Sequence, residues 1–417
     1  MSNPKYQTPT EQPTSFTDLL STSVETLQPS DKISQTEPVP NKAPVTSSIQ
    51  TQLEAAEKGD INAPFRLAIA YRKGEAVSQD LKMAVEWCQK AAHQGKADAQ
   101  FDLGCFDIHG DGVVQDSVEA AKWFGMAADQ GDAEAQFRLG LCYLSGEGVP
   151  ENVYEAALLF EEAAEQGHVG AQVNLGSCYS EGKGVKCDKK TAAEWFRKAA
   201  DQGFPQAQYN LAMSYEDGAG VRRDLAEAMR WYRTAADQGY AEAQYTLGCS
   251  YHTGYGVDPD DEEALKWCRK AAEQRHVHAQ DHVGCAYYHG QGVPQDYEEA
   301  MKWFRLASDQ GSAEAKYNLA ICYKEGQGVP PDEEEFWRWL HASAEHGGHQ
   351  AQMDLAGHFE AVEDYVEAYA WLEVHLSIEA GILEQSMTPE EIAQGKRRAR
   401  TLTRIITLNC AKHGESD

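Results

Sequence analysis

The stretch Ala207–Glu242, AQYNLAMSYEDGAGVRRDLAEAMRWYRTAADQGYAE, decides the fold because it recurs. Similar segments open at Ala63, Ala99, Ala135, Ala171, Ala243, Ala279, Ala315 and Ala351, always 36 residues apart and without insertion or deletion. A fixed period of 20–50 residues is the mark of a solenoid, whose units bury their apolar faces only against their neighbours.

Each copy reads as two helices. In the first, Ala207, Leu211 and Tyr215 are four apart, so they share one helical face. The sixth position is small (Gly104, Gly140, Gly176, Ala212, Gly248, Gly284, Ala320), which lets the partner helix come close. A G-x-G-V connection follows, as in Gly218–Val221. Its first Gly suits the left-handed residue that ends a helix, and the first copy departs from it with Ala76. Four residues after the second Gly stands an N-cap residue: Asp116, Asp188, Asp224, Asp260, Asp296 and Asp332, with Asn152 once. The second helix is expected to bury Ala228, Trp231, Ala235 and Ala236, and a closing Gly ends it. Arg275 replaces that Gly once and is expected to change that turn or its neighbours.

The pattern AQxxLGxxYxxGxGVxxDxxxAxxWFxxAAxQG resembles the Sel1-like repeat, a relative of the tetratricopeptide repeat, over residues 50–380. The resemblance implies an all-α fold, an α/α solenoid wound as a right-handed superhelix with a concave inner face. It also implies an adaptor that binds proteins.

The expected organisation is a disordered Ser/Thr/Pro/Gln-rich tail at 1–48 and a cap helix at 49–62. The solenoid follows at 63–380, with eight full repeats and a truncated ninth, then a capping helix at 381–410 and a disordered tail at 411–417. Phe16, Leu19 and Leu20 form the one apolar cluster of the first tail, and a short binding motif is one reading of it. Thr388, Pro389 and Glu391 form a capping box for the last helix.

Composition narrows the function classes. With 66 acidic against 37 basic residues, the formal net charge is −29. Such a surface repels phosphate backbones and anionic lipid, so neither nucleic acid nor membrane is expected as a partner. The basic patches are short: Arg222-Arg223 and Lys396–Arg400. Met1–Gln50 has no apolar core of a signal peptide, and no run of 18 apolar residues occurs, so a cytoplasmic protein is expected. Non-classical secretion as an effector, with the first residues as leader, is the alternative. The ten cysteines have no close pair that would bridge one repeat, which points to reduced thiols.

Chemistry-bearing motifs are sparse. The G-x-G lies between helices, whereas a phosphate loop needs a strand before it. His278, His282, Cys285 and His289 would share one helical face, a donor set suited to zinc. Against this, Cys249 and His109 recur at the same positions without the cluster, and no metal or other cofactor is expected. No G-x-S-x-G or papain-type signature is present. β-Lactam recognition, which the resemblance brings in, would require regular intra-repeat cysteine pairs that this chain lacks. The chain is therefore read as no enzyme, with no small-molecule substrate.

The lead is the inner surface. By the tetratricopeptide analogy the first helix of each repeat lines it, with positions three, seven, ten and eleven outward. The expected partner-binding face comprises Phe101, Phe137, Tyr209, Tyr245 and Tyr317 at position three. Position ten adds Ile108, Leu144, Glu216, His252, Tyr288 and Lys324. The third-position aromatics also read as packing between repeats, whereas variation at position ten on a constant framework is what a groove for a protein or peptide would show.

Overall fold

A computed structural model describes residues 47–375 and 377–413. Of the tail expected at 1–48, residues 1–46, with Phe16, Leu19 and Leu20, lie outside the described residues, as do 414–417, while 47 and 48 already belong to the first helix. Among the described residues there are twenty-one α-helices, one 3-10 turn at Glu384–Ser386 and no strand. They fall into two compact units divided between Ala228 and Met229.

The first unit holds α1 (Ser47–Glu57), α2 (Ala63–Lys73), α3 (Leu81–His93), α4 (Ala97–His109), α5 (Ser117–Ala128), α6 (Ala133–Ser145), α7 (Val153–Glu165), α8 (Val169–Glu181), α9 (Lys189–Asp201) and α10 (Pro205–Asp217). The division falls inside α11 (Leu225–Asp237). The second unit continues with α12 (Ala241–Thr253), α13 (Asp261–Glu273), α14 (Val277–His289), α15 (Tyr297–Asp309), α16 (Ala313–Glu325), α17 (Glu333–Ala344), α18 (His349–Ala361), α19 (Tyr365–His375), α20 (Ser377–Leu383) and α21 (Pro389–His413). The even-numbered helices from α2 to α16 are the first helices of their repeats. The last helix passes the expected boundary at 410 and stays helical to His413. Its Thr388–Glu391 capping box is formed, with Thr388 N donating to Glu391 Oε2 at 2.7 Å.

Local chemistry sets each turn. Gly146 ends α6 at φ 73°, and Gly148 two residues on has φ 74°. A Cβ on Gly148 would lie 2.0 Å from Ser117 O, so the loop of one repeat lies directly on the start of the preceding outer helix. Asp116 caps α5 by accepting from Val118 N and Glu119 N, both at 3.0 Å, and Asn152 does the same for α7. Ala76 (φ 63°) and Arg275 (φ 70°) take up the left-handed conformation that Gly holds in other copies. Arg275 therefore leaves its turn unchanged, contrary to expectation. The cost appears as backbone strain of ~1 kcal/mol and not as a new turn.

The buried outer-helix residue is not the tryptophan. Trp231 and most of its counterparts are half-buried; among the repeat tryptophans only Trp267 is buried. The residue after each Trp, or after Leu159 where Leu replaces it, is the core member: Phe124, Phe160, Phe196, Tyr232, Cys268, Phe304 and Leu340 are all at most 6 % exposed. The small sixth position of the inner helix receives this ring. A Cβ on Gly140 would sit 2.7 Å from Phe160 Cε1, and one on Gly284 would sit 2.5 Å from Phe304 Cε1.

A glutamine ladder ties repeat to repeat. Gln172 Nε2 donates to Ala164 O (3.2 Å), while its Oε1 accepts from Gln202 Nε2 (2.8 Å). Gln100 and Gln136 do likewise in the first unit, as do Gln244 and Gln280 in the second. Each of these five buried amides thereby finds a partner for both its nitrogen and its oxygen. All ten cysteines are free thiols. Burial pushes Cys142 to about 11 and Cys105 to about 12, well away from thiolate chemistry.

Candidate functional site

The inner helices present the expected face unevenly. In the first unit, Phe137 is fully buried. Its ring lies 5.9 Å from Phe160 on its own outer helix and 4.5 Å from His168 at the start of the next inner helix. His168 caps α8 by accepting from Ala171 N at 3.0 Å, and its Nε2 lies 2.8 Å from Glu134 Oε2. Arg138 Nε donates to the same carboxylate at 2.9 Å. The His168 hydrogen bond and the Arg138 charge hold Glu134 below the usual carboxylate range. Phe101 is half-buried, 5.7 Å from Phe124, and Ile108 packs in the same small cluster. Leu144 is buried. Tyr209 and Glu216 are half-buried, and Glu216 O accepts from Arg223 Nε at 2.8 Å.

The second unit builds the same positions from other chemistry. Tyr245 lies 4.7 Å from His276, which caps α14 by accepting from Ala279 N. His252 Nδ1 is 2.8 Å from Asp261 Oδ1, and its ring meets His282 edge-on at 5.4 Å. Burial drives His276 down to about 3 and His282 to about 4. Burial, then the Glu314 charge, raises Asp281 to about 7, although Asn318 Nδ2 donates to it at 3.0 Å. Tyr288 is buried, its hydroxyl bonded to Gln327 Oε1. Tyr317 is buried and donates to Asp354 Oδ2 at 3.0 Å. Lys324 is exposed, its Nζ 5.3 Å from the Phe336 ring centre.

Most third-position aromatics are thus wedged between repeats, while Glu216, His252 and Lys324 remain reachable from solvent. Sequence reasoning missed the helix-start residues His168 and His276. Their signal was a histidine directly before each A-Q motif turn, where Asp132 and Ser312 cap elsewhere.

The four-residue zinc candidate does not converge. All four residues lie on α14, but His278 stacks toward Tyr245, 6.2 Å away, while His289 packs on Tyr288. Cys285 is buried with its Sγ 3.6 Å from Asn318 Nδ2. Among the described residues no group of three or more His, Cys, Asp or Glu is placed to hold a metal ion. Nor is any described helix long and apolar enough to cross a membrane.

The Sel1 repeat model matches residues 62–96, 97–132, 133–168, 169–204, 205–240, 241–276, 277–312 and 313–348. Among solved structures, the chain is similar to a Sel1 repeat protein from Oxalobacter formigenes, with 32% identity and a TM-score of 0.61. That match covers 77% of this chain and 96% of that one. It is also similar to c5321, described as a protective antigen present in uropathogenic Escherichia coli strains and displaying an SLR fold. There the identity is 29% and the TM-score 0.56, covering 89% and 90% of the two chains. No protein with a curated description matches.

Proposed function

The chain belongs to the Sel1-repeat family, and from that premise we propose that it is a non-catalytic scaffold holding a protein or peptide along its inner helices. The observation that carries this reading is the contrast between framework and face. The Gly turns, the Gln ladder and the buried rings repeat from copy to copy, whereas the position-ten residues that solvent reaches run through Ile108, Ser180, Glu216, His252 and Lys324. A surface prearranged by a rigid framework loses little conformational freedom on binding, so modest contacts add to useful affinity. Glu216 and Lys324 are the first side chains to test, because both are charged and reach solvent.

Affinity purification from the native source, followed by mass spectrometry, compares the wild type with a Glu216→Arg/Lys324→Glu variant. Selective loss of one partner supports the inner-helix reading. Equal recovery of every partner counts against it. A second reading, display or export from the cell, draws on the relative described as a protective antigen. Antibody labelling of intact against lysed cells separates the two, and signal in lysed cells alone argues against export.

A further inference from the structure

The last helix, α21, has two faces of different character. Ala399, Leu402 and Ile406 are at most 6 % exposed and join the cluster of Tyr369 and Trp371. Gly395 permits the close approach, since a Cβ there would sit 2.7 Å from Tyr369 Cδ1. Lys396 and Arg398 are anchored sideways, to Glu384 at 3.1 Å and to Glu367 at 2.8 Å.

Arg397, Arg400 and Arg404 have no such role. All three are exposed, and no described carboxylate lies within ion-pair distance of them. Their spacing of i, i+3 and i+7 puts them in one stripe, and Leu408, 53 % exposed, continues it by one more turn. Like charges at this spacing weaken a helix by a few tenths of a kcal/mol per pair, so the stripe opposes the stability of α21. It also opposes the −29 charge of the chain.

We propose that this stripe is a docking surface for an acidic helical segment of a partner protein. Three guanidinium groups over ~10 Å match three carboxylates along two turns of a facing helix, each able to form a bidentate pair. Leu408 fits an apolar side chain one turn beyond. Nucleic acid and anionic membrane fit less well, because their charge extends far past the stripe and meets the acidic remainder of the protein.

The test uses the full chain and a fluorescent synthetic helical peptide. Its Glu residues are spaced i, i+4 and i+7, with Leu one turn beyond, and its control is a scramble of the same composition. The peptide is expected to bind about tenfold more tightly than the scramble, weakening as salt rises. Arg397→Glu/Arg400→Glu/Arg404→Glu is expected to abolish binding, with the thermal melt unchanged. If that variant fails to fold, the corresponding triple Gln variant is expected to lose at least about tenfold in affinity. No binding, equal binding of the scramble, or an unaffected folded variant would overturn the proposal. So would tighter binding of phosphatidylserine vesicles or a DNA duplex than of the peptide.

Discussion

The inner helices of the two units share a framework but differ in electrostatics. Around α6 and α8 the first unit pairs a charge, the Glu134 carboxylate accepting from Arg138 and lying against the His168 ring, near the solvent boundary. Around α14 the second unit disfavours charge instead: burial holds His276 and His282 well below the usual histidine range and raises Asp281 to about 7. The same backbone, with the same Gln ladder and Gly turns, thus accommodates either solution. Burial decides which one a position takes, because a charge that loses water must be either paired or neutralised.

The largest expected effect breaks what the units share. Gly148→Ala in the first and Gly292→Ala in the second each drive a methyl group to within about 2 Å of a carbonyl oxygen, 2.0 Å from Ser117 O and 2.1 Å from Asp261 O. Each is expected to cost ~3 kcal/mol or more, read as lost hydrogen-exchange protection in its own unit. Protection lost in one unit only would mean that the framework is not common to both.

Next comes the pH dependence of the second unit. The folded Asp281 holds its proton up to about pH 7, whereas an unfolded Asp releases it near pH 4. Between those values folding takes up a proton, so the contribution of Asp281 to stability falls as pH rises. His282 acts with the opposite sign. It is uncharged in the fold down to about pH 4, so its contribution falls as pH drops below ~6.5. Asp281→Asn is expected to gain ~1–2 kcal/mol relative to wild type at pH 8.5 and little at pH 5, measured by urea melts. A gain that does not depend on pH would remove the electrostatic explanation.

Arg275→Gly should relieve the positive-φ strain at the end of α13 and stabilise by ~1 kcal/mol. A loss would show that the Arg side chain makes a compensating contact. The smallest effect is expected from Glu134→Gln, which leaves Arg138 and His168 without their carboxylate. Because the pair is partly solvated, a loss of ~0.5 kcal/mol is expected, shrinking in high salt.

The repeat period, the helix pairs, the Gly turns and the N-caps were all legible in the chain. Each depends on a residue's own backbone preference or on a partner two or three positions away, as with Asp116 or Gly146. Recurrence then multiplied each local signal. What the sequence could not order was burial among neighbouring candidates. Trp231 looked like the core residue, but Tyr232 is, because only the position after the Trp points at the small sixth residue of the inner helix. Phe137 and Tyr317 looked like a binding face but are closed in by residues 31 and 37 positions away, His168 and Asp354. The sequence alone determined the unit and its repetition, because those are set by local geometry. Only the tertiary structure decided which side chains remain within a partner's reach and which carboxylates keep a proton. Those depend on how closely successive helices stack and on the water that stacking excludes.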